Sequence, residues 1–184
     1  MNRNQLQNNL AMTVTLIMGS MLFATLFLGY AVYRSSALMW PPLGIQKVSL
    51  VLPFLSTLVI LASSWFMYQG RLKLENGNLT KAMVDVNLAL ALGSIFMIGQ
   101  CYLWFYLKST GIFLTTSGIF GSILYGFTWI HAFHMIFGIL SLVYLRFAIK
   151  RNNSNILQTT VNVEKFWHFL GVVWIVMFLT IFVL

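Results

Sequence analysis

Acidic residues are nearly absent from this chain. Of its 184 residues only Glu75, Asp85 and Glu164 are acidic, and all three fall outside or at the very ends of its apolar stretches. Carboxylates inside lipid are the usual carriers of proton and cation chemistry, so a pump or channel built on such groups is disfavoured. Cysteine is reduced to one residue, Cys101, which excludes an internal disulfide. No CxxC or Cys/His spacing accompanies it, and it reads as a small apolar filler. Charged residues of either sign make up 8 %, where a soluble domain carries about a quarter.

What is present is apolar sequence, 59 % of the chain, gathered in five runs at 10–33, 48–68, 86–107, 121–147 and 166–184. Each is close to the ~20 residues that a helix needs to cross a bilayer. The expected fold is an all-α membrane protein, a bundle of five transmembrane helices forming a single domain over residues 1–184. The short connections make neighbouring helices antiparallel. The first run is too long for a signal-peptide core and no small-residue cleavage site follows it, so the first span is expected to be retained.

The net charge of +8 does not indicate nucleic acid, because the charges gather between the spans, where lipid headgroups lie. Arg3, Arg71, Lys73, Lys81, Arg146, Lys150, Arg151 and Lys165 would share one side, and Arg34, Lys47 and Lys108 the other. Basic segments stay in the cytoplasm, which places the N-terminus inside and the C-terminus outside.

Trp40-Pro41-Pro42 cannot continue a helix, since two prolines remove two backbone donors; Trp40 suits the headgroup level. Pro53 is tolerated if it falls in the first turn of the second span. In the fourth span His131 and His134 share a face with Gly138, a small residue that lets another helix approach. Two readings arise: a metal or haem site with His168 as a third ligand, or polar side chains hydrogen-bonding across helices. The second is preferred, because no carboxylate or thiolate partner and no further histidine is available. In the last span Trp167 and Trp174 lie seven apart, on one stripe.

These elements together resemble subunit III of the haem–copper respiratory oxidases. The resemblance rests on Trp40-Pro41-Pro42-Leu43-Gly44-Ile45, on the 52–64 segment LPFLSTLVILASS, and on Gly99-Gln100-Cys101-Tyr102. It continues through Gly121-Ser122 and the His131, His134 and Gly138 pattern to Trp167-His168-Phe169 and Trp174. Nearly the whole chain is covered, in order, and it matches the last five spans of the seven that many members have. The resemblance implies a non-catalytic subunit of a terminal oxidase in a bacterial cytoplasmic membrane. It would pack on subunit I and bind phospholipid, supporting proton uptake and stability of the active complex. Haem and copper would reside in the partner subunits I and II, with none in this chain, and a larger respiratory supercomplex is a further possible partner. Three departures stand out: Gly19, Leu103 and Gly171 occupy positions where the family carries carboxylates. The Trp-Pro-Pro element favours the cytochrome c oxidase branch, whereas the five-span form and the 166–175 wording are closer to the quinol oxidases. An accessory subunit of a nitric oxide reductase and, from another class, a small membrane transporter remain as alternatives. An intramembrane protease finds no support, since Ser117-Gly118 is all that any such motif would have.

Overall fold

The computed structural model describes residues 3–37, 50–109, 111, 118–151 and 155–183, apart from the side chains of Asn4 and Gln5. The chain forms α1 (Arg3–Ser36), α2 (Val51–Glu75), α3 (Leu79–Ser109), α4 (Gly118–Lys150) and α5 (Ile156–Met177), which widens into a π-helical end at Phe178–Val183. There is no strand among the described residues, and all five helices are long and apolar enough to cross a membrane. Trp40, Pro41, Pro42 and Ser117 lie outside the described residues.

Interior positions recur at alternating steps of three and four. On α2 they are Ser56, Ile60, Ser63, Met67, Gly70 and Leu74; on α3 they include Ala82, Val86, Ala89, Gly93, Phe96 and Gln100. A mean step of 3.5 keeps one seam facing its partner as helices wind round each other left-handedly. The most extensive seam is α2 against α3, and α3–α4, α4–α5 and α5–α2 close the ring. Small residues set the α2–α3 approach: a Cβ added to Gly99 would sit 3.4 Å from Ser56 Oγ, and one on Gly70 3.3 Å from Asp85 Cβ. Pro53 falls in the first turn of α2 and costs no helical hydrogen bond there.

α1 stands outside the ring. Its buried residues are Phe23 and Tyr30, seven apart, and of its most apolar 18 residues 6 % are buried, against 33–39 % in the other helices. It runs parallel to α5. Gln158 donates to Asn9 at one end of the pair, and Tyr30 OH donates to the Thr180 carbonyl at the other.

Two expectations are corrected. The acidic residues are not left at the margins. The helices extend beyond the apolar runs, so that the second connection shrinks to Asn76, Gly77 and Asn78, with Gly77 in the left-handed region at φ 76°. Asp85 and Glu164 therefore fall on interior faces, 4 % and 7 % exposed. Charged, amphipathic helix ends look like loops in sequence, which conceals this. Cys101, expected as filler, lies exposed on the outer face of α3.

Candidate functional site

The four-helix ring is pinned by Trp167. Its indole lies between two glycines: a Cβ on Gly93 would come within 2.6 Å of Trp167 Cη2, and one on Gly138 within 3.0 Å of Cζ3 and 2.7 Å of Leu170 Cδ1. Trp167 Nε1 donates to Ser63 Oγ at 3.2 Å, and Ser63 donates in turn to the Ala89 carbonyl at 2.7 Å. One side chain thus touches all four helices. Seven residues on, Trp174 Nε1 donates to Thr57 Oγ1 at 3.0 Å, while Thr57 donates to the Pro53 carbonyl. An indole carries one donor on a large apolar body, so hydroxyls are the partners that let it be buried without penalty.

His131 is 1 % exposed and ringed by Phe23, Phe96 and Trp174, with centroids 6.3, 6.1 and 5.7 Å away. Neither ring nitrogen has a hydrogen-bond partner among the described residues. His134, on the same face but half-buried, donates from Nδ1 to the Ile130 carbonyl of its own helix at 2.8 Å. The expected hydrogen bonds from these histidines across helices are therefore not made: α4's neighbours offer His131 aromatic rings and His134 an apolar groove. Gln100, 1 % exposed on α3, likewise has neither side-chain polar atom partnered among the described residues. Tyr102 points outward from the same helix. Gly121 is buried at the start of α4, and Ser122, on the exposed side, donates to the Gly118 carbonyl.

An ionic cluster that sequence reading missed closes the basic end. Arg71 on α2 bridges Glu75 and Glu164, each at 2.5 Å; Lys73 pairs with Asp85 of α3 at 2.6 Å; and His168 lies 3.5 Å from Glu164. The Arg71–Glu75 and Glu164–His168 spacings of four were the available signals. The reach of Arg71 to Glu164 needs the fold.

Among the apolar grooves that flank α1, two reach α4. One, of about 500 Å³, is lined by Met18, Gly19, His134, Phe137, Phe166 and Phe169 among others. The second, of about 390 Å³, runs between α1 and α4 past Gly29, Ser122 and Gly126. Both suit an alkyl chain better than a polar solute. His131, His134 and His168 do not converge: the first is caged, the second faces a groove, and the third joins the ionic cluster. Among the described residues no group of three or more His, Cys, Asp or Glu side chains is placed to hold a metal ion.

The profile of the family described as cytochrome c oxidase subunit III matches residues 3–184. The chain belongs to that family. A cytochrome c oxidase subunit 3 from Synechocystis sp. is 31 % identical, over 92 % of this chain and 72 % of that protein. A probable cytochrome c oxidase subunit 3 from Nocardia farcinica is 33 % identical, over 88 % and 80 %. One from Thermostichus vulcanus is 29 % identical, over 95 % and 86 %. The chain is accordingly a subunit III of a haem–copper oxidase, part of a complex with other subunits, and a multi-pass protein of the cytoplasmic membrane.

Within this subunit III, Gly19, Leu103 and Gly171, the positions at which the resemblance implies carboxylates, are closely packed. Leu103 is buried. A Cβ on Gly19 would meet the Phe169 ring at 3.1 Å, and one on Gly171 would meet Ser64 Oγ at 3.3 Å. Its buried acids, Asp85 and Glu164, lie elsewhere and are neutralised by Lys73 and Arg71.

Proposed function

We propose that this chain is a non-catalytic, stabilising subunit of a cytochrome c oxidase, with haem and copper held by the partner subunits I and II and subunit I as the surface on which it packs. The observation that carries this reading is the close-packed ring around Trp167. Its interior is filled by indoles, glycines and hydroxyls, an arrangement that fixes helices in register. Phospholipid acyl chains occupy the grooves beside α1, whose walls are almost wholly apolar. The names of the relatives favour cytochrome c over quinol as electron donor. Support of proton uptake, in this reading, falls to the ionic cluster with its half-buried His168, since the family's own acid positions are filled by Gly19, Leu103 and Gly171.

The orientation belongs to the same proposal. Because α1 is parallel to α5 and the ring helices alternate, Arg71, Lys73, Arg146, Lys150 and Lys165 share the end that holds Arg3. That end is cytoplasmic. A reporter fused after Leu184 should be active only outside the cytoplasm; activity only inside would overturn the orientation.

The deciding experiment is deletion of this chain, followed by spectra and a turnover time course of the remaining complex. Intact haem and copper signals with a shortened working life are expected. Collapse of the haem spectrum in an otherwise assembled remainder would show that the chain holds cofactor. Solute movement by the purified chain in liposomes would favour the transporter instead.

A further inference from the structure

The groove of about 500 Å³ beside α1 has one polar atom, His134 Nε2, to which nothing on its walls donates. His134 is the middle residue of α4, and its half-buried ring lines the groove. Nδ1 is turned back to the Ile130 carbonyl of its own helix at 2.8 Å. An imidazole that donates from Nδ1 keeps its lone pair on Nε2, at the far end of the ring from the backbone. Thr15 carries the single hydroxyl among the lining residues, and it donates to the Ala11 carbonyl. The rest of the lining is Met, Leu, Gly and Phe.

Depth selects what can donate to Nε2. The middle of α4 lies near the bilayer centre, roughly 15 Å from either edge of the hydrocarbon layer. Phospholipid donors stay at the headgroups and do not reach that level. An acyl chain reaches it and has nothing to donate. The donor must arrive on a molecule apolar enough to dissolve in the bilayer core. The walls favour an aromatic body for it. Phe137, Phe166 and Phe169 line the groove, and the Phe23 ring stands 5.3 Å from that of His134 and 6.4 Å from that of Phe169. Rings so placed receive a further ring edge-to-face or offset. The volume falls within the ~300–1,000 Å³ usual for small-molecule sites. His131 offers no comparable acceptor, because the rings of Phe23, Phe96 and Trp174 enclose it.

We propose that this groove binds a lipid-soluble phenol, a hydroxylated aromatic ring with an alkyl tail. Its hydroxyl donates to His134 Nε2, and its ring lies among Phe137, Phe166 and Phe169. The inference rests on the reading of the groove as a lipid site and narrows its occupant at one depth. Beside His134 a hydroxylated ring takes the space that an acyl chain fills elsewhere along the wall.

The test compares two radiolabelled probes that differ by one hydroxyl, para-nonylphenol and nonylbenzene, on the purified complex in detergent. The parent complex should hold the phenol about three- to thirty-fold more tightly, as one hydrogen bond in an apolar medium allows. In His134→Phe that preference should vanish while nonylbenzene binding stays. Equal affinity for the two probes in the parent would overturn the phenol site and leave the lipid groove standing. Binding of neither probe would overturn both readings. A preference that survives in His134→Phe would place the phenol elsewhere and overturn the site. If that variant fails to assemble, Leu22→Trp fills the groove from the α1 side with His134 intact. It too should lose the preference, and its persistence would overturn the site.

Discussion

The ring of α2–α5 and the outlying α1 are of similar hydropathy, yet they are held by different means. The ring buries a continuous seam on each helix, and its closest approaches are backbone to side chain: Gly93 and Gly138 on Trp167, Gly171 on Ser64, Gly70 on Asp85. α1 offers one ridge, Phe23 and Tyr30, a single close approach of Gly19 to the Phe169 ring, and a hydrogen bond near each end. In lipid the apolar surface of a helix gains nothing by leaving the solvent, because the solvent is equally apolar. Packing and polar contacts decide the difference. Hydropathy therefore marks all five helices as spans and does not distinguish the four that form the ring from the one that leans on it.

The largest effect should come from the centre of the ring. Trp167→Ala removes a fully buried indole from between two glycines that cannot collapse onto each other, with an expected cost of about 3–5 kcal/mol. The subunit should be lost from the purified complex, or fall sharply in the membrane. A variant that assembles at parental levels and temperature would mean that the glycine–tryptophan clamp does not hold the ring. Arg71→Ala should come next, at about 3 kcal/mol, since it leaves the buried Glu164 with only His168 nearby. Its signature is rescue: adding Glu164→Gln should recover part of the lost thermal tolerance, and no recovery would mean that the pair is not coupled.

Part of the fold, though not this division, can be traced in the sequence. Span count and the positions of Trp167, Trp174 and Gly138 follow from apolar run length and from a stripe of seven. The buried ends were hidden, because Gly70, Leu74, Ala82, Asp85 and Ala89 carry the 3.5-residue spacing through a segment whose charges read as a loop. Following that spacing past Tyr68 would have revealed them. The Arg71–Glu164 pair joins residues far apart in the chain, and nothing local announces it. The peripheral place of α1 was equally concealed, since Leu, Met and Phe look alike whether they face lipid or a neighbouring helix. His131 misled for a related reason: a polar residue on an interior face suggests a partner across the helices, but the rings of Phe23, Phe96 and Trp174 take the space around it.

On α1 the effects should be smaller and should leave the ring standing. Gly19 faces the Phe169 ring in the groove that His134 also lines. A Gly19→Glu variant puts a carboxylate into an almost wholly apolar groove, at about 2.5 kcal/mol unless it is paired. The enzyme's half-life should shorten while turnover changes little. A clear rise in turnover would mean that the position can work as an acid site after all, and that the family's carboxylate there has a role this chain has merely lost.

The smallest effect is expected at Tyr30. Its hydroxyl accepts from Arg34 Nη1 at 2.7 Å and donates to the Thr180 carbonyl at 2.5 Å, so it links α1 to the π-helical end of α5. Tyr30→Phe keeps the ring against Phe127 and removes only the hydroxyl. An interhelical hydrogen bond in a membrane contributes about 0.6–2 kcal/mol, and Arg34 already lies 3.5 Å from the same carbonyl and can take part of the role. The expected loss is therefore about 1 kcal/mol, read as a small fall in the temperature at which α1 becomes open to protease, with no change in the temperature at which the ring comes apart. Equal falls in both temperatures would show that α1 and the ring unfold as one body. A loss as large as that of Trp167→Ala would put α1 among the structural helices and remove the distinction between the two regions.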